Sequence, residues 1–203
     1  MNLQTKGVTS LLAANIGIFV AGLLLPSIDN WITYNLRLFF PQNQHFEVWQ
    51  FVSHMFLHGG PAHILFNMFA LFSFGTVLER IWGTKKFITF YFVSGIGASL
   101  IYTGINYFEF ESIRTQLTGL GLNEKQITFL LSNNYSVQGI ETETLKQFYS
   151  IFNASMLGAS GAVYGVLVAF GISFPNAKLS LMFLPVPISA KVLTHQFHKN
   201  VSK

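Results

Sequence analysis

Four stretches of this chain run for 22 residues or more without one charged side chain. Residues 7–28 and 87–108 are runs of 22, and residues 48–78 and 147–177 are runs of 31, with 48–78 interrupted in polarity by three His. A helix needs about 20 mainly apolar residues to cross the hydrocarbon core of a bilayer. Four windows meet that length, which predicts a polytopic membrane protein of the all-α class. The totals agree. Charged residues are 10% of the 203, against about 25% in a typical soluble domain, and hydrophobic residues are 51%. Such a chain has too little polar surface to cover a soluble fold and too much apolar surface to stay disordered. Its net charge of +4 comes from scattered residues that form no patch, which argues against a nucleic-acid partner. Without Cys, disulfides, thiolate metal sites and Cys nucleophiles are excluded.

The spans are expected at about 9–28, 61–81, 87–106 and 149–174. The apolar stretch Val8–Ile28 is long for a signal peptide and lacks a clear small-x-small cleavage site, so it reads as a retained span. Pro26 closes it, Gly59-Gly60-Pro61 opens the second span, and Pro175-Asn176 closes the fourth. Lys6, then Arg80, Lys85 and Lys86, then Lys178, Lys191, Lys199 and Lys203 fall on one side, which places both termini in the cytoplasm. Segment 29–60 carries Trp31, Tyr34, Trp49 and several Phe among polar residues, and reads as an interfacial outer structure. Segment 107–148 is a long outer insert, with an amphipathic helix expected over Thr118–Leu131. Residues 1–191 form one membrane domain, followed by a polar basic tail at 192–203.

Polar residues inside a span are expensive and point to function. Three groups stand out. The fourth window contains Gly158-Ala159-Ser160-Gly161-Ala162-Val163-Tyr164-Gly165. Gly161 and Gly165 form a G-x-x-x-G pair, which suits close helix packing. Ser160 after Gly158 at a helix start would instead place a hydroxyl beside free backbone N–H groups suited to an oxyanion. The pairs His54/His58 and His63/Asn67 each have i, i+4 spacing, one helix face each. They suit a metal site, hydrogen bonds between helices, or donors to an oxyanion. No acidic residue or Cys accompanies them, which weakens the metal reading. Glu79-Arg80-Ile81-Trp82-Gly83 reads as a membrane-edge anchor with Gly83 as helix cap.

In this order, Pro-Ala-His63-Ile-Leu-Phe-Asn67, Glu79-Arg80-x-x-Gly83 and Gly158-Ala-Ser160-Gly161-Ala-Val-Tyr164 resemble the rhomboid family of intramembrane serine proteases. Glu47-Val-Trp49-Gln50 is similar to that family's outer-loop signature, with Gln50 where Arg is usual. The resemblance spans roughly residues 8–190. It implies a rhomboid-like helical bundle in the bacterial inner membrane, needing no cofactor or metal, that cuts transmembrane segments of other proteins. Ser160 would be the nucleophile. His63 and Asn67, with the Ser160 N–H after Gly158, would hold the oxyanion, and Tyr164 would pack beside the catalytic His. His54 and His58 would line or support the outer cavity, and Glu79, Arg80 and Gly83 would be structural. The family's core has six spans, with a general-base His in the sixth within Ala-His-x-x-Gly. Against that core the chain is expected to be a truncated or frameshifted form with four spans and no identified general base, since His195 and His198 sit in the polar tail. The expected function is therefore a rhomboid-type endopeptidase. The alternative is a non-catalytic relative that holds membrane clients, and a transporter or metal-handling protein built on the His cluster is a third reading.

Overall fold

A computed structural model describes residues 5–132, 139–175, 178–179 and 188–189. Nine helices carry the described fold. The chain is all-α: helix α1 (Lys6–Leu24), α2 (Pro26–Leu36), α3 (Gln50–Ser53), α4 (Pro61–Ala70), α5 (Thr76–Trp82), α6 (Thr84–Gly119), α7 (Glu124–Ser132), α8 (Thr142–Asn153) and α9 (Ser160–Ser173). Two antiparallel two-residue bridges complete it. In one, β1 (Leu38–Phe39) pairs with β2 (Ser155–Met156), and in the other β3 (Lys178–Leu179) pairs with β4 (Ile188–Ser189). His195, His198 and the tail 192–203 lie outside the described residues.

Among the described residues, three helices are long and apolar enough to cross a membrane: Lys6–Leu24, Pro61–Trp82 and Thr84–Gly119. The second is α4 and α5 joined through one wide π turn at Leu71–Gly75, a rod of about 33 Å at 1.5 Å per residue. Val8, Leu11, Met68, Leu71, Leu78, Phe87, Tyr91, Val163 and Val166 form the buried core between these rods and α9. Side chains such as Ile101, Ile105 and Phe108 point outward, the last 77% exposed, as expected of surfaces that face lipid.

Small residues set the closest approach, between α9 and α6. A Cβ on Gly161 would fall 2.8 Å from Ala98 Cβ, and one on Gly165 would fall 2.6 Å from Ser94 Cβ. The G-x-x-x-G pair is thus a packing surface, on the same helix that carries Ser160. Gly95 on α6 likewise leaves room for the tip of Met55.

Three boundaries differ from the sequence expectation. The apolar window 149–174 is not one helix: α8 ends at Asn153, residues 155–156 bridge to 38–39, and α9 begins at Ser160. Gly158, at φ +123°, stands just before the start of α9. The helix of the third window does not end near 106 but continues to Gly119, about 54 Å in all. Its extension carries Phe110, Ile113 and Leu117, an i, i+3, i+7 stripe, which packs with Ile127, Leu130, Leu145, Phe148 and Ile151 into a second core. The amphipathic helix expected over 118–131 starts later, at Glu124. The turn before it contains Gly121 at φ +93°, and Asn123 and Gln126 exchange side-chain to backbone hydrogen bonds of 2.9 and 3.0 Å. That reciprocal pair is a capping box.

Candidate active site

Ser160 is the first residue of α9, exposed at the mouth of the bundle. The first N–H groups of a helix have no acceptor within it, so the Ser160 N–H is an unsatisfied donor by position. Gly158 fixes the approach to this helix. Its φ of +123° is a region that residues with a side chain rarely adopt, and its N–H donates to the His54 carbonyl at 2.9 Å.

The space beside Gly158 Cα is where the site assembles. A Cβ there would lie 2.9 Å from His63 Cε1, 3.0 Å from His63 Nε2 and 3.5 Å from Ser160 Oγ. The imidazole and the hydroxyl therefore border one gap that only a residue without a Cβ leaves open. His63 comes from the first turn of α4, which Pro61 begins. Its Nδ1 accepts the Gly59 N–H at 3.3 Å. A ring nitrogen that accepts is unprotonated, so the neutral ring carries its proton on Nε2, the nitrogen beside Gly158. Asn67, one turn further on α4, is buried, and its Nδ2 has no hydrogen-bond partner among the described residues. Asn67 Nδ2 is thus a buried donor without a partner among the described residues, and His63 Nε2 and the helix-start N–H of Ser160 are further donors.

His58 and His54 support this from the outer segment. The His58 ring meets His63 edge-on, with centroids 5.1 Å apart, and both its nitrogens are buried without a partner among the described residues. Burial, then the neighbouring His63, lower its pKa to about 4. His54 sits in a single 3-10 turn, His54–Phe56. Its Nδ1 donates to the Gln50 carbonyl at 2.8 Å, and burial lowers its pKa, so the ring stays neutral.

The remaining sequence candidates fall elsewhere. Tyr164 follows Ser160 by one turn on the same face of α9 and is 43% exposed. Glu79 lies about 24 Å along the rod from His63. It is buried and accepts the N–H groups of Gly7 and Val8, each at 2.8 Å, and the Thr84 hydroxyl at 2.6 Å. Gly83, at φ +80°, ends α5 with its N–H on the Glu79 carbonyl at 2.8 Å, and Arg80 is exposed. Among the described residues no group of three or more His, Cys, Asp or Glu could hold a metal ion.

Two residues that the sequence reading names without a role in the site contribute to it. Gly59 sets the His63 tautomer. Gln50, fully buried, accepts the Phe39 N–H at 3.2 Å and donates to the His45 carbonyl at 2.7 Å and the Asn35 carbonyl at 3.5 Å. It pins the outer segment over the site. The signal for Gln50 was its place beside Trp49 in an otherwise apolar run.

Fold and site together define a membrane-embedded helical bundle with a helix-start serine facing polar donors. Comparison with known proteins agrees. A family model described as a Rhomboid domain matches residues 45–112. Rhomboid protease AarA of Providencia stuartii is 39% identical over 61 residues, covering 30% of this chain and 22% of that protein. Rhomboid protease GlpG of Yersinia pestis (strain Pestoides F), and that of Yersinia pseudotuberculosis serotype O:3 (strain YPIII), are each 26% identical over 165 residues, covering 71% of this chain and 54% of theirs. The chain spans about half the length of these GlpG proteins. Its residues 45–112 thus match the rhomboid domain, and the chain is similar to rhomboid proteases.

Proposed function

We propose that this chain carries the nucleophile and oxyanion half of an intramembrane serine endopeptidase, which hydrolyses peptide bonds in or near transmembrane segments of other membrane proteins. The observation that carries the reading is the gap at Gly158, bordered by Ser160 Oγ on one side and by His63 Nε2 on the other. A scissile carbonyl seated there brings its carbon to Ser160 Oγ and its oxygen to the Nε2–H. Attack by Oγ, with its proton passing to a general base outside this set, would make the tetrahedral oxyanion, which His63, Asn67 and the Ser160 N–H would bind. His63 holds its proton on the nitrogen facing the gap, which suits a donor rather than a base. Tyr164 would flank Ser160 along α9, and Gly83, Glu79 and Arg80 would act only through the fold. The relatives' names and the three apolar helices support a setting in a bacterial membrane. The Lys and Arg distribution favours the inner membrane, with the N-terminus cytoplasmic.

A second reading is a non-catalytic protein that binds membrane clients. It is favoured by one observation: among the described residues, no hydrogen bond joins Ser160 Oγ to an imidazole, and the hydroxyl of an unassisted serine is a weak nucleophile. One experiment separates the two. The full chain and Ser160→Ala are reconstituted in liposomes with a model transmembrane substrate. Cleavage by the parent and none by the variant supports the endopeptidase. Equal substrate retention by both, with no product from either, selects the binder.

A further inference from the structure

A cleft of about 520 Å³ opens beside the site, between the last turns of α1, the length of α2 and the loop 57–61. Ile18, Phe19 and Leu23 give it an apolar wall, while Asp29, Arg37 and His58 bring polar groups into it. Asp29 lies in the first turn of α2 and Arg37 just past its last, about 12 Å apart along the axis. Neither belongs to an ion pair among the described residues. The Asp29 carboxylate is seated against α1, with Oδ1 3.1 Å from where a Cβ of Gly22 would stand. Asp29 and Arg37 thus line one cleft, neither in an ion pair among the described residues, beside buried His58 nitrogens that have no partner among them.

The depth of this cleft in a bilayer is set by its neighbours. It lies where the apolar helix α1 ends. On α2, Trp31 and Tyr34 are exposed, and such side chains settle at the headgroup level. Leu23 and Leu24 are exposed on the α1 side and offer a surface for acyl chains. A ligand suited to this lining presents an anion to Arg37 and a cation with N–H groups to Asp29, with an apolar tail below.

We propose that this cleft binds the zwitterionic phosphoethanolamine headgroup of a bilayer lipid, with Arg37 on the phosphate and Asp29 on the ammonium. A guanidinium can grip phosphate through two parallel N–H bonds, and a primary ammonium can donate to a carboxylate where a quaternary one cannot. Through His58 and the loop to Gly59, the bound headgroup would steady the wall that holds His63. The proposal does not depend on proteolysis.

The test uses the full chain in detergent micelles, reading lipid retention by native mass spectrometry and the thermal midpoint after addition of phosphatidylethanolamine, phosphatidylcholine or phosphatidylglycerol. Phosphatidylethanolamine should be retained about tenfold more tightly than the others, the worth of one charge-assisted contact, and raise the midpoint most. Arg37→Gln should weaken all three lipids and Arg37→Lys restore part of the loss. Asp29→Asn should erase the preference for ethanolamine while leaving phosphate binding. Equal retention of the three lipids by the unmodified chain would overturn the proposal, as would Arg37→Gln retaining all three unchanged. If soluble phosphoethanolamine binds as tightly as the lipid, the site is one for free phosphate monoesters and the lipid assignment falls. Displacement of the lipid by a water-soluble peptide copying a substrate's flanking residues would reassign the cleft to substrate. Should Arg37→Gln fail to fold, the headgroup ranking and Asp29→Asn decide alone.

Discussion

At Gly158 one hydrogen atom decides whether the site exists. A methyl there would sit within 3.0 Å of the His63 ring, in a backbone region costing roughly 1–3 kcal/mol for a residue with a side chain. Gly158→Ala should lower the thermal midpoint by a few degrees and leave helix content intact by circular dichroism. It should also reduce cleavage, or labelling of Ser160 by a fluorophosphonate, by about 100-fold, as a misplacement near 1 Å does. Unchanged labelling would mean that the gap is not where the carbonyl sits. His58 gives a second prediction. Its pKa is lowered to about 4 by burial and by His63, below the ordinary value near 6.5. The unfolded chain therefore binds this proton more readily than the folded one. Stability from this group is fully present above about pH 6.5 and declines as the pH falls toward 4. Thermal midpoints of the parent should drop across that window, and His58→Leu should flatten the drop; parallel curves would contradict the assignment. Ser160, His63, Asn67 and Gly158 were all legible as residues, because polar side chains stand out in apolar runs. The proton on His63 Nε2 was not, since it depends on the Gly59 N–H, a backbone group that sequence pattern does not orient.

Among the elements, α1 shows how an end is tied down without a local cap. Its first turn contains no acidic residue and no side-chain cap. Glu79, 72 residues away from Gly7, supplies the two acceptors instead, and its carboxylate also suits the positive end of the helix. Hydrogen bonds to a charged group are worth about 1.5–3 kcal/mol each. Glu79→Gln keeps one acceptor oxygen and should cost less than Glu79→Leu, which strands both N–H groups and the Thr84 hydroxyl. Urea or thermal titration in mild detergent would rank them, and equal stability of the two variants would refute the capping role. The sequence marked Glu79 as an anchor but not what it anchors, because the contact is tertiary. The same limit explains the fourth window. Its apolar composition runs unbroken from 149 to 174, yet the chain leaves the helix to pair residues 155–156 with 38–39, a match no local pattern announces. The extension of α6 is the opposite case. Its stripe of Phe110, Ile113 and Leu117 and the Asn123/Gln126 box are both local patterns, set in a segment whose charges mark it as lying outside the bilayer.

Taken whole, the molecule has two cores that share α6: the membrane bundle around Leu71, Leu78 and Tyr91, and the smaller cluster around Phe110 and Phe148 beyond it. Besides α6 itself, the links among the described residues between the second core and the end that carries Ser160 are few: the 38–39/155–156 bridge, Phe40 packed on Phe110, the Asn43 amide donating to the Phe152 carbonyl at 2.8 Å, and Gln42 donating to Glu111 at 3.0 Å. Such slender links let one part open while the other holds. Phe110 and Phe148 are both buried, with stacked rings 4.5 Å apart, so Phe148→Ala removes the centre of the smaller core at about 3–5 kcal/mol. Native-state hydrogen exchange in detergent should then show lost protection in α7, α8 and the last turns of α6, with amides of residues 61–100 as slow as before. Serine labelling should fall only in part, because Gly158 remains tied to the His54 carbonyl inside the bundle. If instead protection collapses in α4 and α5 as well, the two cores form one cooperative unit, and the insert is required for the bundle that carries the site.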